Sequence, residues 1–287
     1  MRFTGVVLFG ISLVLATGTL SGCTGSTPVD PGSNTVSAAP GDESVALGLV
    51  NLWRVTGAAG ETADTWLRID ADVMILWRPC GGIDYAWAAA DAQIITEPTG
   101  YSMGCGAGAI RPPAATWLDD ATEFRADTGG WQLLDFAGHT VATLTIDGAP
   151  QPSATLADEY AKPPIVTEQT RQALLQPQPL PDGFTPATID TLLGTWKPVG
   201  EYSTDPHVTF SADQNARASD GCNGTLTRWT ALDNGRFLAT VGGMTDIGCD
   251  GAPVPEWVST AAYAGFADGQ LVLFDAPGAE LCRLDRG

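Results

Sequence analysis

Leu133-Leu-Asp-Phe-Ala-Gly138 recurs further along the chain as Leu273-Phe-Asp-Ala-Pro-Gly278. Upstream of each copy runs the same series of landmarks. Leu52-Trp-Arg-Val-Thr-Gly57 answers Thr195-Trp-Lys-Pro-Val-Gly200, Cys80-Gly-Gly82 answers Cys222-Asn-Gly224, and Gly104-Cys-Gly106 answers Gly248-Cys-Asp250. Trp117 and Trp257 follow, and the interval from Trp117 to Asp135 is the same as that from Trp257 to Asp275. The longer intervals, Trp53 to Asp135 and Trp196 to Asp275, are nearly equal as well. Five landmarks in one order at nearly equal spacing mark a tandem duplication.

Working outward, each copy reads as mostly strand. Trp66–Asp70, Val73–Trp77 and Tyr85–Ala88 are short β-type runs in the first copy, with expected counterparts His207–Ser211, Thr225–Thr230 and Arg236–Val241. Turn signals at Asp127–Gly130, Asp233-Asn-Gly235 and Asp268-Gly269 separate strands. One helix per copy is expected, near Ala114–Arg125 and near Pro253–Phe266, where Pro253 and Pro255 suit a helix start. Two strands joined at Asp135–Gly138 or Asp275–Gly278 close each copy. The fold class is α+β, mainly antiparallel β, with two tandem half-barrel domains over 45–149 and 187–287. Residues 150–186, rich in Pro and Gln, read as an interdomain linker with a short helix over Thr167–Leu175.

Residues 1–22 read as a signal peptide. Arg2 supplies a positive start, Phe3–Leu20 is uncharged and mostly apolar, and the run ends in Leu20-Ser-Gly-Cys23. That quartet resembles the bacterial lipobox, in which small residues precede a cysteine that receives diacylglycerol on its thiol. The alternatives are a plain signal peptide with an accidental cysteine, or a retained membrane helix, for which the apolar run is marginal. Residues 23–44 are small, polar and rich in Pro and Gly, a flexible tether with a reach of roughly 25 Å. The expected location is therefore outside the cytoplasm, lipid-anchored to the cell membrane through Cys23. Among 287 residues the formal net charge is −19, and Lys162 and Lys197 are the only lysines. Such a surface repels nucleic acid and lacks a polybasic membrane patch.

The second copy carries a family resemblance. Leu193-Gly-Thr-Trp196, Gly221-Cys-Asn-Gly224, Thr245-Asp-Ile-Gly-Cys249 and Leu271-Val-Leu-Phe274 are similar, in that order, to the motifs of the META domain, or HslJ-like, family. The first copy departs from them: Asn51 stands where the second has Gly194, and Gly81 where the second has Asn223. The resemblance implies an envelope protein connected with stress and antibiotic tolerance, without known catalytic residues.

In an exported chain, matched cysteines in each repeat read as bridges, Cys80 with Cys105 and Cys222 with Cys249. Closing loops of such length gives about 3 kcal/mol each on a chain-entropy estimate. Cys282 has no equivalent in the first copy, where Ala142 occupies its place, and is expected as a buried strand residue. A metal site is the alternative for the four paired cysteines; C-x-x-C spacing is absent and the chain has two histidines, so neither metal nor cofactor is expected.

Gly100-Tyr-Ser-Met-Gly104 spells a nucleophile elbow around Ser102, with His139 and Asp127 or Asp135 as nominal partners. An elbow needs a helix directly after the serine, and Cys105-Gly-Ala-Gly-Ala-Ile-Arg-Pro-Pro113 cannot start one. The remaining lead is aromatic. The first copy holds six tryptophans against three in the second, and the four without a counterpart among the repeat landmarks, Trp66, Trp77, Trp87 and Trp131, are either core or a binding face. The chain is therefore expected to be a non-enzymatic, lipid-anchored protein that binds or shields an envelope component. An apolar-ligand carrier with its cavity inside the first copy's half-barrel is the alternative, and a serine hydrolase at Ser102 a distant third. Membrane fractionation tests the anchor: Cys23→Ser is expected to yield uncut or soluble protein, and undiminished membrane association in that variant would make residues 3–20 a retained helix.

Overall fold

The computed structural model describes residues 44–79, 81–102, 112–151, 157–248 and 250–287. In the first copy a 3-10 turn, Val45–Leu49, precedes β1 (Asn51–Thr56), β2 (Trp66–Ile69), β3 (Met74–Arg78), β4 (Gly81–Ala90), β5 (Gln93–Ser102), α1 (Thr116–Asp119), β6 (Glu123–Asp127), β7 (Gly130–Leu134) and β8 (Thr140–Thr145). All eight strands are antiparallel neighbours in chain order, and β8 returns to β1, so the ring is closed. After α2 (Glu168–Ala173) and β9 (Thr185–Pro186), the second copy repeats the series: α3 (Ile189–Leu192), β10 (Gly194–Pro198), β11 (His207–Phe210), β12 (Asn215–Ser219), β13 (Gly224–Ala231), β14 (Phe237–Ala239), α4 (Val254–Thr260), β15 (Tyr263–Ala267), β16 (Gln270–Phe274) and β17 (Glu280–Arg286). Its nine-stranded sheet runs β14-β13-β12-β11-β10-β17-β16-β15-β9. The architecture is mainly antiparallel β with short helices, as the alternating runs and turn signals imply.

The two rings close at equivalent seams. In the first, Gln93 opposes Glu123, and the Ile94 and Phe124 amides donate to the Thr122 and Ala92 carbonyls at 3.0 and 2.8 Å. In the second, Arg236 bridges Tyr263, and the Phe237 and Ala264 amides donate to the Ala262 and Gly235 carbonyls at 2.9 and 2.8 Å. One bridge and two flanking bonds therefore draw each curled sheet together. In the second copy the edge of β15 beyond its seam is taken by β9, with Phe266 opposite Thr185.

Alternation along the strands puts one apolar set inside each ring. Trp53, Leu67, Ile69, Met74, Leu76, Ile83, Tyr85, Ile94, Leu133 and Leu144 fill the first together with Leu49, Trp117 and Leu118. Trp196, Val208, Phe210, Trp229, Phe237, Leu271, Leu273 and Leu284 fill the second. The landmark tryptophans do one job twice: Trp53 Nε1–H donates to the Leu49 carbonyl at 2.7 Å, and Trp196 Nε1–H to the Leu192 carbonyl at 2.7 Å. Each ties the short helical turn before the first strand to the core. The repeated hexapeptides are matched turns. Gly138 and Gly278 have φ of 80° and 90°, their amides donate to the Asp135 and Asp275 carbonyls, and the Asp135 and Asp275 carboxylates accept the His139 and Ala279 amides. Cys282 is a free, buried residue of β17 opposite Leu273, as Ala142 is opposite Leu133.

Three local expectations differ from the structure. Helix α1 is one turn rather than a span to Arg125, because Glu123–Asp127 pairs with β7 and supplies the seam. Helix α4 ends at Thr260 for the same reason, leaving Tyr263–Ala267 to pair with β16. The counterpart of β3 is β12, Asn215–Ser219, a strand whose polar and small residues show little apolar alternation, and β4 corresponds to β13. The Pro/Gln-rich segment between the copies packs on both: Ala161 lies on Trp66 and Trp77, Leu174 on the first core, and Leu180 and Phe184 on Tyr263 and Phe274. Its α2 falls within the expected helix and is capped by Thr167. If the two indole anchors are equivalent, Trp53→Phe and Trp196→Phe each leave a buried carbonyl without its donor and lower stability by about 1–3 kcal/mol in urea unfolding. A cost confined to one of the two counts against the shared role.

Candidate functional site

The four extra tryptophans do not form one face. Trp66 and Trp77 are 2% and 6% exposed on the outside of the barrel, where they pack with Leu52 and Ala161. The Arg54 guanidinium lies 4.5 Å from the Trp66 ring centroid. Trp87 belongs to the barrel core and donates Nε1–H to the Asp70 carbonyl at 2.9 Å. Trp131, half-buried, stands edge-on to Phe124 and donates to the Gly48 carbonyl at 2.9 Å. Of the two alternatives, core or binding face, Trp66, Trp77 and Trp87 are buried in packing contacts and Trp131 is half-buried against the first core.

Cys23, Cys80, Cys105 and Cys249 lie outside the described residues. Cys222 is disulfide-bonded. Beside it, Asn223 is a buried clasp. Its Nδ2 donates to Asp220 Oδ2 and to the Ile247 carbonyl, both at 2.8 Å, and its Oδ1 accepts from Thr245 Oγ1 at 2.8 Å and the Ile247 amide at 2.7 Å. Three of the motif residues singled out in the second copy thus hold one loop against another, and every polar atom of the Asn223 side chain is used internally. Burial pushes the Cys282 thiol up to about 12, so it stays protonated. Ser102 ends β5, and its Oγ accepts the Gly82 amide at 2.9 Å. His139 sits in the β7–β8 turn with Nδ1 3.3 Å from Asp135 Oδ2. Each therefore has a local partner that accounts for it.

A cleft with a volume of about 600 Å³ lies between the copies. The outer face of β4 gives one wall through Ala86 and Ala88. Leu238 and Ala239 of β14 and Ala261 after α4 give another, and Leu174 and Leu175 after α2 a third. These walls are fixed by the fold. Leu238 packs with Ala90 and Ile95 across the junction. A polar clasp fastens the same junction: Glu97 of β5 accepts from Thr240 Oγ1 at 2.7 Å and from the Arg228 amide at 3.2 Å, and Arg228 Nη1 donates to the Asp119 carbonyl at 3.0 Å. Of the four extra tryptophans, Trp87 alone reaches the lining. The cleft was not legible in sequence because its walls come from several segments far apart along the chain.

No family model, curated protein or solved structure matches this chain. Its own geometry therefore carries the functional reading.

Two buried arginines differ in how fully they are satisfied. Arg78 of β3 has a partner on every guanidinium nitrogen: Nε donates to Glu61 Oε2 at 2.8 Å, Nη2 to Glu61 Oε1, and Nη1 to the Pro113 carbonyl. Glu61, with a side chain 3% exposed, also accepts from Trp117 Nε1 at 2.7 Å and Thr65 Oγ1 at 3.0 Å. Arg236, in contrast, lines the cleft with an Nε that has no hydrogen-bond partner. Burial pulls its guanidinium below the ordinary arginine value, partly offset by Tyr263 and Asp91. For Glu61, burial alone raises the pKa; the Arg78, Trp117 and Thr65 hydrogen bonds and the Arg78 charge together outweigh it and leave the carboxyl below its usual 4.5. A carboxyl depressed by folding stabilises fully above its unfolded value, and that contribution fades as pH falls through the folded one. Glu61→Gln, which leaves Arg78 charged and unpaired, is expected to cost about 3–5 kcal/mol at pH 7. The gap from wild type should close on acidification below 4.5. A gap independent of pH in thermal melts refutes this assignment.

Proposed function

We propose that this chain is a non-enzymatic, lipid-anchored envelope protein of two META-like domains that holds a small apolar or amphiphilic molecule in the cleft between its copies. The carrying observation is where space is left. The barrel interior, the site expected for a carrier, is occupied by buried side chains, among them Trp53, Leu67, Met74, Leu76 and Tyr85. The cleft instead offers about 600 Å³ with mostly apolar walls, within the range of small-molecule sites. The lipid on Cys23 and the tether through residue 44 keep such a site close to the membrane that supplies apolar molecules. Bridges Cys80–Cys105 and Cys222–Cys249 belong to the same proposal as fasteners suited to an exported protein. The absence of chemistry at Ser102 in this reading rests on its local bond to Gly82 and on His139 being engaged with Asp135.

A second reading, docking of an envelope protein, is favoured by exposed Val241, Met244 and Ile247 on the segment after β14. The ligand reading is tested with the neutral probe N-phenyl-1-naphthylamine on the purified full chain. Wild type is expected to enhance its fluorescence saturably, and Ala88→Trp, which places an indole in the cleft, to weaken binding by about tenfold or more, the scale of losing one buried apolar contact surface. Equal uptake by both proteins would show that the probe sits elsewhere and leave the protein-docking reading ahead.

A further inference from the structure

Arg236 is 4% exposed, yet the fold does not require a cation there. Its place is the seam residue of the second ring, paired with Tyr263, and the equivalent seam residue of the first ring is Gln93, paired with Glu123. Backbone bonds close both seams, so the side chain is free to serve something else. The guanidinium lies 5.2 Å from the Tyr263 ring centroid, and Nη1 donates to the Ala262 carbonyl at 3.4 Å, a long bond. Nε has no hydrogen-bond partner. The nearest opposite charge, Asp91 Oδ2, stands 3.9 Å from that nitrogen, beyond hydrogen-bond length. Asp91 is itself 39% exposed at the side chain, and its other oxygen accepts from Gln176 Nε2 at 3.0 Å.

A buried charge that is not fully hydrogen-bonded is costly, and the Arg78–Glu61 cluster displays the satisfied alternative within the same molecule. The residue that carries this unsatisfied donor is one of those lining a cavity, together with apolar Ala86, Ala88, Leu174, Leu238 and Ala261 and with Asp72 and Thr99. We propose that Arg236 is a headgroup site: the cleft takes an amphiphile whose apolar body lies along these walls and whose single anionic group, a carboxylate or similar oxyanion, accepts from the Arg236 guanidinium. This rests on the cleft reading above and adds the ligand's charge. Asp91 is then an internal counter-ion that holds Arg236 in the empty state and competes weakly with the ligand. An anion replaces a 3.9 Å contact with a charge-assisted hydrogen bond inside a low-dielectric pocket.

The test compares two probes with the same aromatic body on the full chain: 8-anilino-1-naphthalenesulfonate, which is anionic, and N-phenyl-1-naphthylamine, which is neutral. The anionic probe is expected to bind about tenfold tighter or better, the size of one charge-assisted hydrogen bond. Arg236→Gln should abolish that preference while retaining the neutral probe. Asp91→Asn, a part-exposed position that does not depend on the arginine variant folding, should strengthen anionic binding severalfold and leave neutral binding unchanged. Decanoate should displace the anionic probe at lower concentration than decanol. Equal affinities for the two probes, or a preference for the anionic one that neither substitution changes, would overturn the headgroup assignment and leave the apolar cleft standing. Binding of neither probe would overturn the cleft reading and this one together.

Discussion

A curled antiparallel sheet exposes a row of unpaired amides and carbonyls along each edge until its ends meet. Both copies meet that constraint with the same minimal device, one residue bridge flanked by two main-chain bonds, between the start of a hairpin's second strand and the strand after the helix. Much else follows from it. The helix must be short, because the residues after it have to re-extend to reach the seam. The small residue after the helix, Ala121 or Ala261, is buried there. Past the seam the second sheet keeps a free edge on β15, and β9 covers it. The seam also fixes one residue at the junction between the copies, Gln93 in one ring and Arg236 in the other, so duplication provided a position that could diverge without opening either ring.

The copies have separate apolar interiors and yet are fastened together at several places. Leu238 against Ala90 and Ile95 is an apolar contact across the junction. Glu97 serves as acceptor to Thr240 and to the Arg228 backbone, a role that neither copy could satisfy alone. The 157–186 segment adds contacts to both, through Ala161 and Leu174 on one side and Leu180 and Phe184 on the other. Cleft walls drawn from both rings and from this segment are therefore held by side chains whose packing predates any ligand. That favours a preformed pocket over one assembled on binding.

The duplication, the landmark tryptophans, the closing turns and the buried Cys282 were legible because each depends on a residue type that few others can replace. Trp53 and Trp196 need an indole N–H to reach a carbonyl, and Gly138 and Gly278 sit at positive φ. Helix lengths were not legible: Ala121–Arg125 has ordinary helix formers, and pairing with β7 overrides that local preference. Strand β12 was missed since Asn215-Ala-Arg-Ala-Ser219 alternates small with polar, a weak pattern on one strand that becomes meaningful only with β11 and β13 beside it. The extra tryptophans left core and binding face both open, because composition gives number without direction. Arg236 gave no signal at all, since an arginine directly after Asp233-Asn-Gly235 reads as an ordinary charge beside a turn.

An anionic ligand for a chain of net charge −19 invites an electrostatic objection, and distance answers it. Surface carboxylates act through water and salt, where fields decay over about 8 Å at physiological ionic strength. Arg236 acts on a ligand inside the cleft at contact range and behind apolar walls, where screening is weak. The acidic exterior therefore slows the approach of anions more than it weakens a bound one. It also discriminates: a hydrophilic anion meets the repulsion with no compensating burial, whereas an amphiphile recovers that cost by removing its apolar body from water at roughly 25 cal/mol per Å². A buried cation lining a mostly apolar cleft, under an acidic surface, thereby selects for molecules that are anionic at one end and apolar over the rest.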